Sequence, residues 1–156
     1  MRLLREGTAD RAVVVFGVDA DPGPELTWAR GVTLYAGSDD DLDHPGPLGV
    51  AGQGAAGLAA LGFAAAFPDR VDRLVVVGAP IPVSGELPAV TAKTLLLYGA
   101  RDPATGSGHG RWWQQRLPDA RLEMNPRGGA DLLVPMWKRI LSHLAPGVRR
   151  ASPPSR

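Results

Sequence analysis

The chain has 156 residues, of which 44% are hydrophobic and 21% are charged, values that fit one globular domain with a substantial core. The formal net charge of +1 and the lack of a basic stripe argue against nucleic acid or an anionic membrane as a partner. The absence of cysteine excludes disulfides, thiolate metal sites and thiol catalysis, and makes the reducing cytoplasm the default compartment. No apolar run approaches the ~20 residues of a membrane span.

Short apolar runs alternate with helical segments along the chain. After at most a short strand at Arg2–Arg5, the predicted strands are Ala12–Gly17, Val32–Ala36, Leu48–Ala51, Leu74–Val77, Thr94–Tyr98 and Ala120–Met124. The predicted helices are Ala55–Phe67, Gly108–Arg116 with Ser107 as the N-cap, and Asp131–Leu144. All-apolar strands that alternate with helices predict an α/β fold with a mostly parallel sheet covered on both faces. We expect one domain over 1–147 and a disordered tail over 148–156, which is rich in arginine, proline and serine.

The segment Pro47–Leu61 is typical of a strand, a tight glycine turn and a helix. This is the layout of the G-x-S-x-G nucleophile elbow, in which a serine at the tip of the turn is the nucleophile. Gly54 stands at the serine position. Glycine adopts the positive φ of such a tip without steric cost, so we expect the turn to persist without its nucleophile. The sequence therefore predicts a protein that forms no seryl intermediate.

Three motifs, in the appropriate order, resemble those of the α/β-hydrolases. The run from Gly52 to Pro80 resembles the elbow, its helix and the next strand of that family. The run Leu95–Pro103 resembles the strand that carries the triad acid, and places Asp102 at the acid position. Pro118–Leu133 resembles the strand and loop that carry the triad histidine, whose position is occupied here by Ala130.

The resemblance implies a minimal α/β-hydrolase-like three-layer sandwich with a mostly parallel sheet. The connection Pro80–Ala92 is too short for a cap domain, and the short stretch between Ala36 and Leu48 implies that a helix common in the family is missing. The degenerate triad keeps only Asp102, because glycine and alanine replace the serine and the histidine.

The resemblance also implies an oxyanion hole that survives the loss of the nucleophile. Its donors would be the backbone N–H groups of Ala55, at the start of the elbow helix, and of Val18, after the first core strand. Phe16 precedes the second donor, at a position where many members have a histidine. We expect Gln53 and Gly54 to complete this substrate-binding edge.

Three side chains are the candidate proton-transfer groups at this edge: Asp102, His44 and Asp19. Asp102 and Asp19 also suit turns, whereas His44 is predicted to lie on the active-edge side as a replacement base. We expect His109 to be a helix-start residue, and His143 to be structural, at a helix end where the dipole favours a cation.

Two other motifs have alternative interpretations. The acidic run Asp39–Asp43 could hold a hard cation, but its spacing is more typical of a solvated loop, so we expect no metal. The glycines at 52, 54 and 57 also form a G-x-G-x-x-G dinucleotide fingerprint. That interpretation is a minor alternative, because the next strand ends without the required acidic residue. No cofactor is expected.

The favoured functional hypothesis is a non-hydrolytic enzyme of the cyclase, isomerase or lyase type, which acts on an acyl or polyketide-like carbonyl compound of secondary metabolism. The alternatives are a pseudoenzyme that binds a small molecule or a protein, and a rewired esterase in which a carboxylate or His44 activates water. A homodimer could supply the wall of the site that a cap would otherwise form. Trp112 and Trp113 are adjacent on a helix, so one is expected at an interface, while Trp28 and Trp137 are expected in the core or pocket.

Overall fold

In the computed structural model, residues 1–39 and 42–149 are described, with only the backbone considered at 106 and 107. The described strands are β1 (Arg2–Arg5), β2 (Ala12–Phe16), β3 (Thr33–Ala36), β4 (Leu48–Gln53), β5 (Val71–Val77), β6 (Lys93–Gly99) and β7 (Ala120–Asn125). The described helices are α1 (Pro24–Arg30), α2 (Ala55–Ala66), α3 (Gly106–Arg116) and α4 (Trp137–Leu144). None of these helices is long and apolar enough to cross a membrane.

The strands form one sheet in the order β1-β3-β2-β4-β5-β6-β7. β1 is antiparallel to β3, and every other neighbouring pair is parallel. Helices α2 and α3 cover one face of the sheet, and α4, with α1 beside it, covers the other. The predicted three-layer α/β sandwich with a mostly parallel sheet is therefore confirmed.

The core consists of two apolar clusters, one on each face of the sheet. All five residues of β2 are buried, with Val14 and Phe16 in the cluster under α2 and Val13 and Val15 in the cluster under α4. A strand buried on both faces needs side chains that are apolar at every position, which is why its sequence shows no alternation. Each fully buried side chain of this size contributes about 1.5–3 kcal/mol of transfer free energy.

Helices α1, α3 and α4 depart from the predictions by more than one residue, and strands β2 to β7 differ from the predicted bounds by one to three residues at one or both ends. Helix α1 was not predicted, although Pro24 at its first position and Gly31 in a left-handed C-terminal position are helix signals. Helix α3 begins at Gly106 with Thr105 as its N-cap, so the prediction of Ser107 as N-cap is wrong. The last helix begins only at Trp137: the N–H groups of Leu132 and Leu133 donate to the side chain of Gln53, and residues 133–136 form a turn.

Two connections set the surroundings of the site. Residues 78–92 contain neither helix nor strand, so no cap domain stands there. Between Ala36 and Leu48 the described residues also contain no helix or strand. The chain runs there from the carboxyl end of β3 directly back to the amino end of β4.

Candidate functional site

The elbow lies at the switch point of the sheet. The chain passes from β2 to β3 on one side and then returns to β4 on the other side of β2. In open parallel sheets, ligands bind at the carboxyl ends of the strands at such a point, because the loops diverge there and leave a crevice. The carboxyl ends of β2 and β4 are therefore the place where a site is expected.

Gly54 has the backbone conformation of an elbow tip, with φ 61° and ψ −131°. Its N–H donates to the carbonyl of Val77 at 2.8 Å, which fixes the turn to the end of β5. A Cβ atom at Gly54 would have no neighbour within 4 Å, whereas one at Gly52 would lie 2.2 Å from the Ala56 carbonyl oxygen. The turn thus requires glycine at 52 for close packing, and at 54 it presents open space where a serine side chain would begin.

The loop after β2 lies directly against the first turn of α2. A Cβ atom on Gly17, which has φ 81°, would stand only 2.7 Å from the Cβ of Ala56. This contact brings the backbone of Gly17 and Val18 beside that of Gly54 and Ala55. The first N–H groups of a helix have no intrahelical acceptor, so the Ala55 amide remains a donor at this end of α2.

Asp102 is buried, with 7% of its surface exposed, and its carboxylate is fully engaged in its own loop. One oxygen accepts the Thr105 hydroxyl at 2.7 Å, and the other accepts the Ala104 N–H at 2.9 Å. The hydrogen bond from Thr105 is the main cause that lowers the pKa of Asp102, and the charge of His109 adds a smaller lowering contribution. This carboxylate closes the turn that leads into α3.

The loop after β6 and the loop after β7 are close together in space. A Cβ atom on Gly78 would lie 3.7 Å from Oδ2 of Asp102 and 3.9 Å from the carbonyl oxygen of Ala130. The nearby Tyr98 is fully buried and donates its hydroxyl to the Ala79 carbonyl at 2.6 Å. Burial is the main cause that raises the pKa of Tyr98, so this hydroxyl stays protonated.

Gln53 binds a loop and not the crevice. Its Oε1 accepts the N–H groups of Leu132 and Leu133, both at 2.8 Å. Its Nε2 donates to Asp131 Oδ1 at 3.1 Å. The last residue of β4 thereby fastens the loop that carries Ala130 to the elbow. Nothing local in the sequence indicated this role, because the partners lie about eighty residues further along the chain.

The predicted placement of His44 is wrong. Its Nε2 lies 2.6 Å from the carbonyl oxygen of Asp10, just before the amino end of β2, and its ring packs edge-on to Tyr35. Arg70 also donates to the carbonyl of His44 from the segment that enters β5. These partners hold the imidazole at the amino edge of the sheet, opposite the elbow. The described residues of the connection from β3 form no helix, and the chain passes from the carboxyl edge to the amino edge of the sheet before it reaches His44.

Of the other predicted site residues, Asp19 lies at the carboxyl edge of the sheet, whereas Phe16 lies in the core. Asp19 is exposed at the carboxyl edge, and its carbonyl accepts Arg2 at 2.7 Å. It borders a 390 Å³ surface cavity shared with Val18 and Gly37. Phe16 does not line the crevice: it is buried, packs against the ring of Phe63 at 5.7 Å, and belongs to the core under α2.

The remaining histidines also have defined partners. His109 lies in the first turn of α3, at the carboxyl edge, where its Nδ1 accepts the Ile81 N–H at 3.3 Å. It is the one described histidine on the same edge as the elbow. His143 is buried, and its Nε2 lies 2.9 Å from the Lys93 carbonyl oxygen. Burial lowers the pKa of His143, so it serves as a neutral structural residue and not as the cation that its helix position suggested.

The tryptophans divide between core and surface. Trp113 is fully buried and Trp112 is half-buried, with the guanidinium of Arg116 placed 4.3 Å from its ring centroid. Trp137 is in the core, where its Nε1 donates to Thr27 at 2.9 Å. Trp28 is 53% exposed, which corrects the expectation that it lies in the core or a pocket.

No group of three potential metal ligands occurs among the described residues. Of the acidic run Asp39–Asp43, residues 40 and 41 lie outside the described part of the chain. The fifth strand ends at Val77 and is followed by Gly78, so no carboxylate stands where the dinucleotide fingerprint needs one.

No protein-family model and no curated protein sequence matches this chain. Solved structures do. The fold is similar to a predicted CIB-like hydrolase from Thermoplasma acidophilum, with a TM-score of 0.64, 17% identity and 83% of each chain covered. It is also similar to an esterase from Pyrococcus furiosus, with a TM-score of 0.64, 13% identity, and 87% of this chain and 82% of that chain covered. An α/β-hydrolase enzyme from a metagenome of lagoon sediments matches with a TM-score of 0.63, 15% identity, and 88% and 89% of the two chains covered.

These neighbours are α/β-hydrolase fold proteins, and the likeness at such identities is one of fold. The chain therefore has the α/β-hydrolase fold, in a small form without a cap domain. Gly54 lies at the tip of the turn after β4, and Ala130 lies in the loop after β7.

Proposed function

We propose that this protein binds a small, neutral carbonyl compound at the carboxyl edge beside Gly54, and that it forms no covalent intermediate with it. The observation that carries the proposal is the conformation of Gly54. The turn keeps φ 61° and ψ −131°, and the space above its Cα is open. Glycine holds this conformation without the cost of about 1–3 kcal/mol that other residues incur, so the turn keeps the first N–H groups of α2 beside the open space.

The charges around the crevice favour a carbonyl over an anion. The backbone N–H groups of Ala55 and Val18 are suited to a carbonyl oxygen or a developing oxyanion. The described residues at this edge include the carboxylates of Asp102, bonded to Thr105, and of Asp131, bonded to Gln53, and a second negative charge beside them would be repelled. A ketone, ester or thioester accepts the same hydrogen bonds without that cost.

The side chains at the elbow support binding more than chemistry. Asp102 and Gln53 are both occupied in holding loops, and His44 lies at the opposite edge. Binding without turnover is therefore the function that this geometry supports best. It corresponds to a pseudoenzyme, or to the binding step of an enzyme whose reactive group lies on the ligand.

The test is an amide chemical-shift titration with 2-heptanone, with 2-heptanol as the matched ligand that lacks the carbonyl. We expect the ketone to shift the Ala55 and Val18 amide signals, and the alcohol to leave them unchanged. Gly54→Ala should abolish these shifts, because its Cβ enters the open space. Gly62→Ala is the control, since its Cβ also meets nothing within 4 Å but lies on the exposed face of α2. Equal shifts from both ligands, or ketone shifts that persist in Gly54→Ala, would overturn the proposal.

Native mass spectrometry of gently purified protein, followed by a denaturing run, complements the titration. A molecule that is lost on denaturation and contains a carbonyl would identify the ligand class directly. A nucleotide or a carboxylic acid in its place would contradict the proposed chemistry.

A second candidate is a non-hydrolytic enzyme of the cyclase, isomerase or lyase type that acts at the same crevice. The observation that favours it is the position of His109, half-buried at the carboxyl edge and electrostatically coupled to Asp102. Because Nδ1 accepts the Ile81 N–H, the neutral ring of His109 carries its proton on Nε2. That N–H can donate to the carbonyl oxygen and stabilise the enolate that forms when solvent takes the α-proton, and the enolate then takes a deuteron from D₂O. Wild-type protein should therefore accelerate deuterium exchange at the α-carbon of 2-heptanone in D₂O, and His109→Gln should not. Exchange at the buffer rate with wild-type protein would reject this candidate.

A further inference from the structure

Along the outer edge of β7, the N–H and C=O groups of every second residue have no partner among the described strands. Of the described strands, only β6 pairs with β7. The N–H of Thr94 donates to the Asp119 carbonyl at 2.8 Å, and the N–H of Ala100 donates to the Asn125 carbonyl at 2.9 Å. In a parallel ladder, alternate residues face the neighbouring strand, so the odd-numbered residues of β7 bond to β6. The N–H and C=O groups of the even-numbered residues Ala120, Leu122 and Met124 therefore point away from the sheet.

The sequence around this edge is complementary to itself about Leu122. Arg121 and Glu123 lie one residue on either side, with opposite charges. Pro118 and Pro126 lie four residues on either side, and both fall in the outward phase. Proline has no N–H to donate, so the outward donors end at these two positions.

We propose that β7 is the interface of a homodimer, in which two copies pair antiparallel about a two-fold axis at Leu122. In that register Leu122 meets Leu122 of the second copy, and Ala120 meets Met124, so every outward N–H and C=O finds a partner. Arg121 faces Glu123 of the second copy, twice. The two prolines of one copy face those of the other, which leaves no donor unpaired.

The side chains on both faces of β7 fit this occupant. Leu122 and Met124 are half-buried against the α3 face, and pairing would cover them with the same residues of the second copy. On the other face the Arg121 side chain is 78% exposed, with its Nε 3.8 Å from Oε1 of Glu123 in the same chain, and Glu123 is also bound by Arg139 at 2.5 Å. Charges on an edge strand usually repel a second strand. Here the two charges that would meet are opposite, so a second copy of this chain is the partner that the edge selects.

The geometry has a consequence for the carbonyl-binding crevice. Antiparallel pairing of the edge strands directs the carboxyl edges of the two sheets in opposite directions. Each elbow then stays open to solvent, which differs from the expectation that a dimer supplies the missing wall. This proposal is independent of the proposed ligand, because neither Gly54 nor Ala55 takes part in it.

Sedimentation equilibrium of the full chain tests the proposal. We expect a dimer for wild-type protein, and dimers weakened by about tenfold or more in Arg121→Glu and in Glu123→Arg, since each places like charges opposite each other. An equimolar mixture of these two variants should form a heterodimer, because it restores both opposite-charge pairs. A monomeric wild-type chain, or a dimer indifferent to Arg121→Glu, would overturn the proposal.

Disulfide trapping keeps the test decisive if Glu123→Arg, which loses its contact with Arg139, fails to fold. The chain has no cysteine, so Leu122→Cys introduces a single thiol at the axis. Residues in a hydrogen-bonded antiparallel pair have Cα atoms about 5.5 Å apart, within the range of a disulfide. Under mild oxidation we expect rapid dimer formation in Leu122→Cys and slow formation in the control Ser84→Cys, which lies on an exposed loop. Equal rates in the two variants would contradict the register.

Discussion

The turn after β4 and the loop after β6 differ in what their residues contact. At the turn, Gly54 has φ 61° and open space above its Cα. In the loop after β6, the Asp102 carboxylate binds Thr105 and Ala104 in its own turn. The comparison teaches that a residue at a catalytic position has to be judged by its partners, because the same carboxylate can orient a histidine or close a turn.

The largest expected effect is that of Asp102→Ala. This change removes the acceptor of the Thr105 hydroxyl and of the Ala104 N–H, and hydrogen bonds to a charged group contribute about 1.5–3 kcal/mol each. We expect the free energy of unfolding, measured with urea, to fall by about 3 kcal/mol. Asp19→Ala is the control, and at this exposed position the change should stay below about 0.5 kcal/mol. A stable Asp102→Ala variant that loses ketone binding would show that Asp102 belongs to the site and not to the turn.

A slightly smaller effect is expected for Gln53→Met, which keeps the volume of the side chain but removes its oxygen. The N–H groups of Leu132 and Leu133 then lose their acceptor, at a cost of about 2 kcal/mol in the free energy of unfolding. Hydrogen exchange should accelerate at these two amides in particular. Gln114→Met, on the exposed face of α3, provides the matched control and should change neither quantity. Unchanged exchange at Leu132 would contradict the proposed role of Gln53 as a fastening between the elbow and the loop.

The pH dependence of stability sharpens the comparison further. The hydrogen bond from Thr105 lowers the pKa of Asp102 in the folded state, so the unfolded chain binds this proton at a higher pH than the folded chain does. The stabilisation is complete above the unfolded carboxyl pKa of about 3.9, and it is lost as the pH falls through the lower folded value. The difference in unfolding free energy between wild type and Asp102→Asn should therefore be constant above about pH 5 and shrink as the pH falls below about 4. A constant difference would mean that the carboxylate charge is not what the loop uses.

The smallest expected effect is that of Gly54→Ser on ester hydrolysis. A serine side chain has room at the tip, but Ala130 provides no base to activate it. We expect p-nitrophenyl acetate to be hydrolysed no faster by this variant than by wild type. The double variant with Gly54→Ser and Ala130→His tests whether Asp102 can still support a triad. Hydrolysis by Gly54→Ser alone would identify another base at this edge, with His109 as the first residue to remove.

The parts of the site that the sequence predicted are those with a local cause. The strand, glycine turn and helix at 48–66 follow from an apolar run, from glycines at positions where a Cβ would collide, and from a helix-forming segment. The position of Asp102 after an apolar strand, and the lack of room for a cap, could be predicted for the same reason.

The missed parts depend on contacts between distant segments. The oxygen of Gln53 accepts amides about eighty residues away, and either oxygen of the Asp102 carboxylate can accept donors from several neighbours. Helix α1 has only seven residues, so the helix signals at its ends, Pro24 and Gly31, could not be distinguished from those of a loop. The sequence could have indicated His109 as a site residue, because it follows β6, whose carboxyl end lies at the same edge of the sheet as the elbow.

By itself the sequence determined the layered α/β architecture and the nucleophile-free turn, since periodicity and glycine sterics act within a few residues. It also determined the self-complementary pattern about Leu122. Only the tertiary structure decided which edge each side chain reaches. The connection before β4 crosses the sheet without a helix and therefore delivers His44 to the amino edge, while the path of the chain brings His109 and Asp102 to the edge of the elbow. Which residues meet at a sheet edge depends on the direction and length of every connection, and no single segment contains that information.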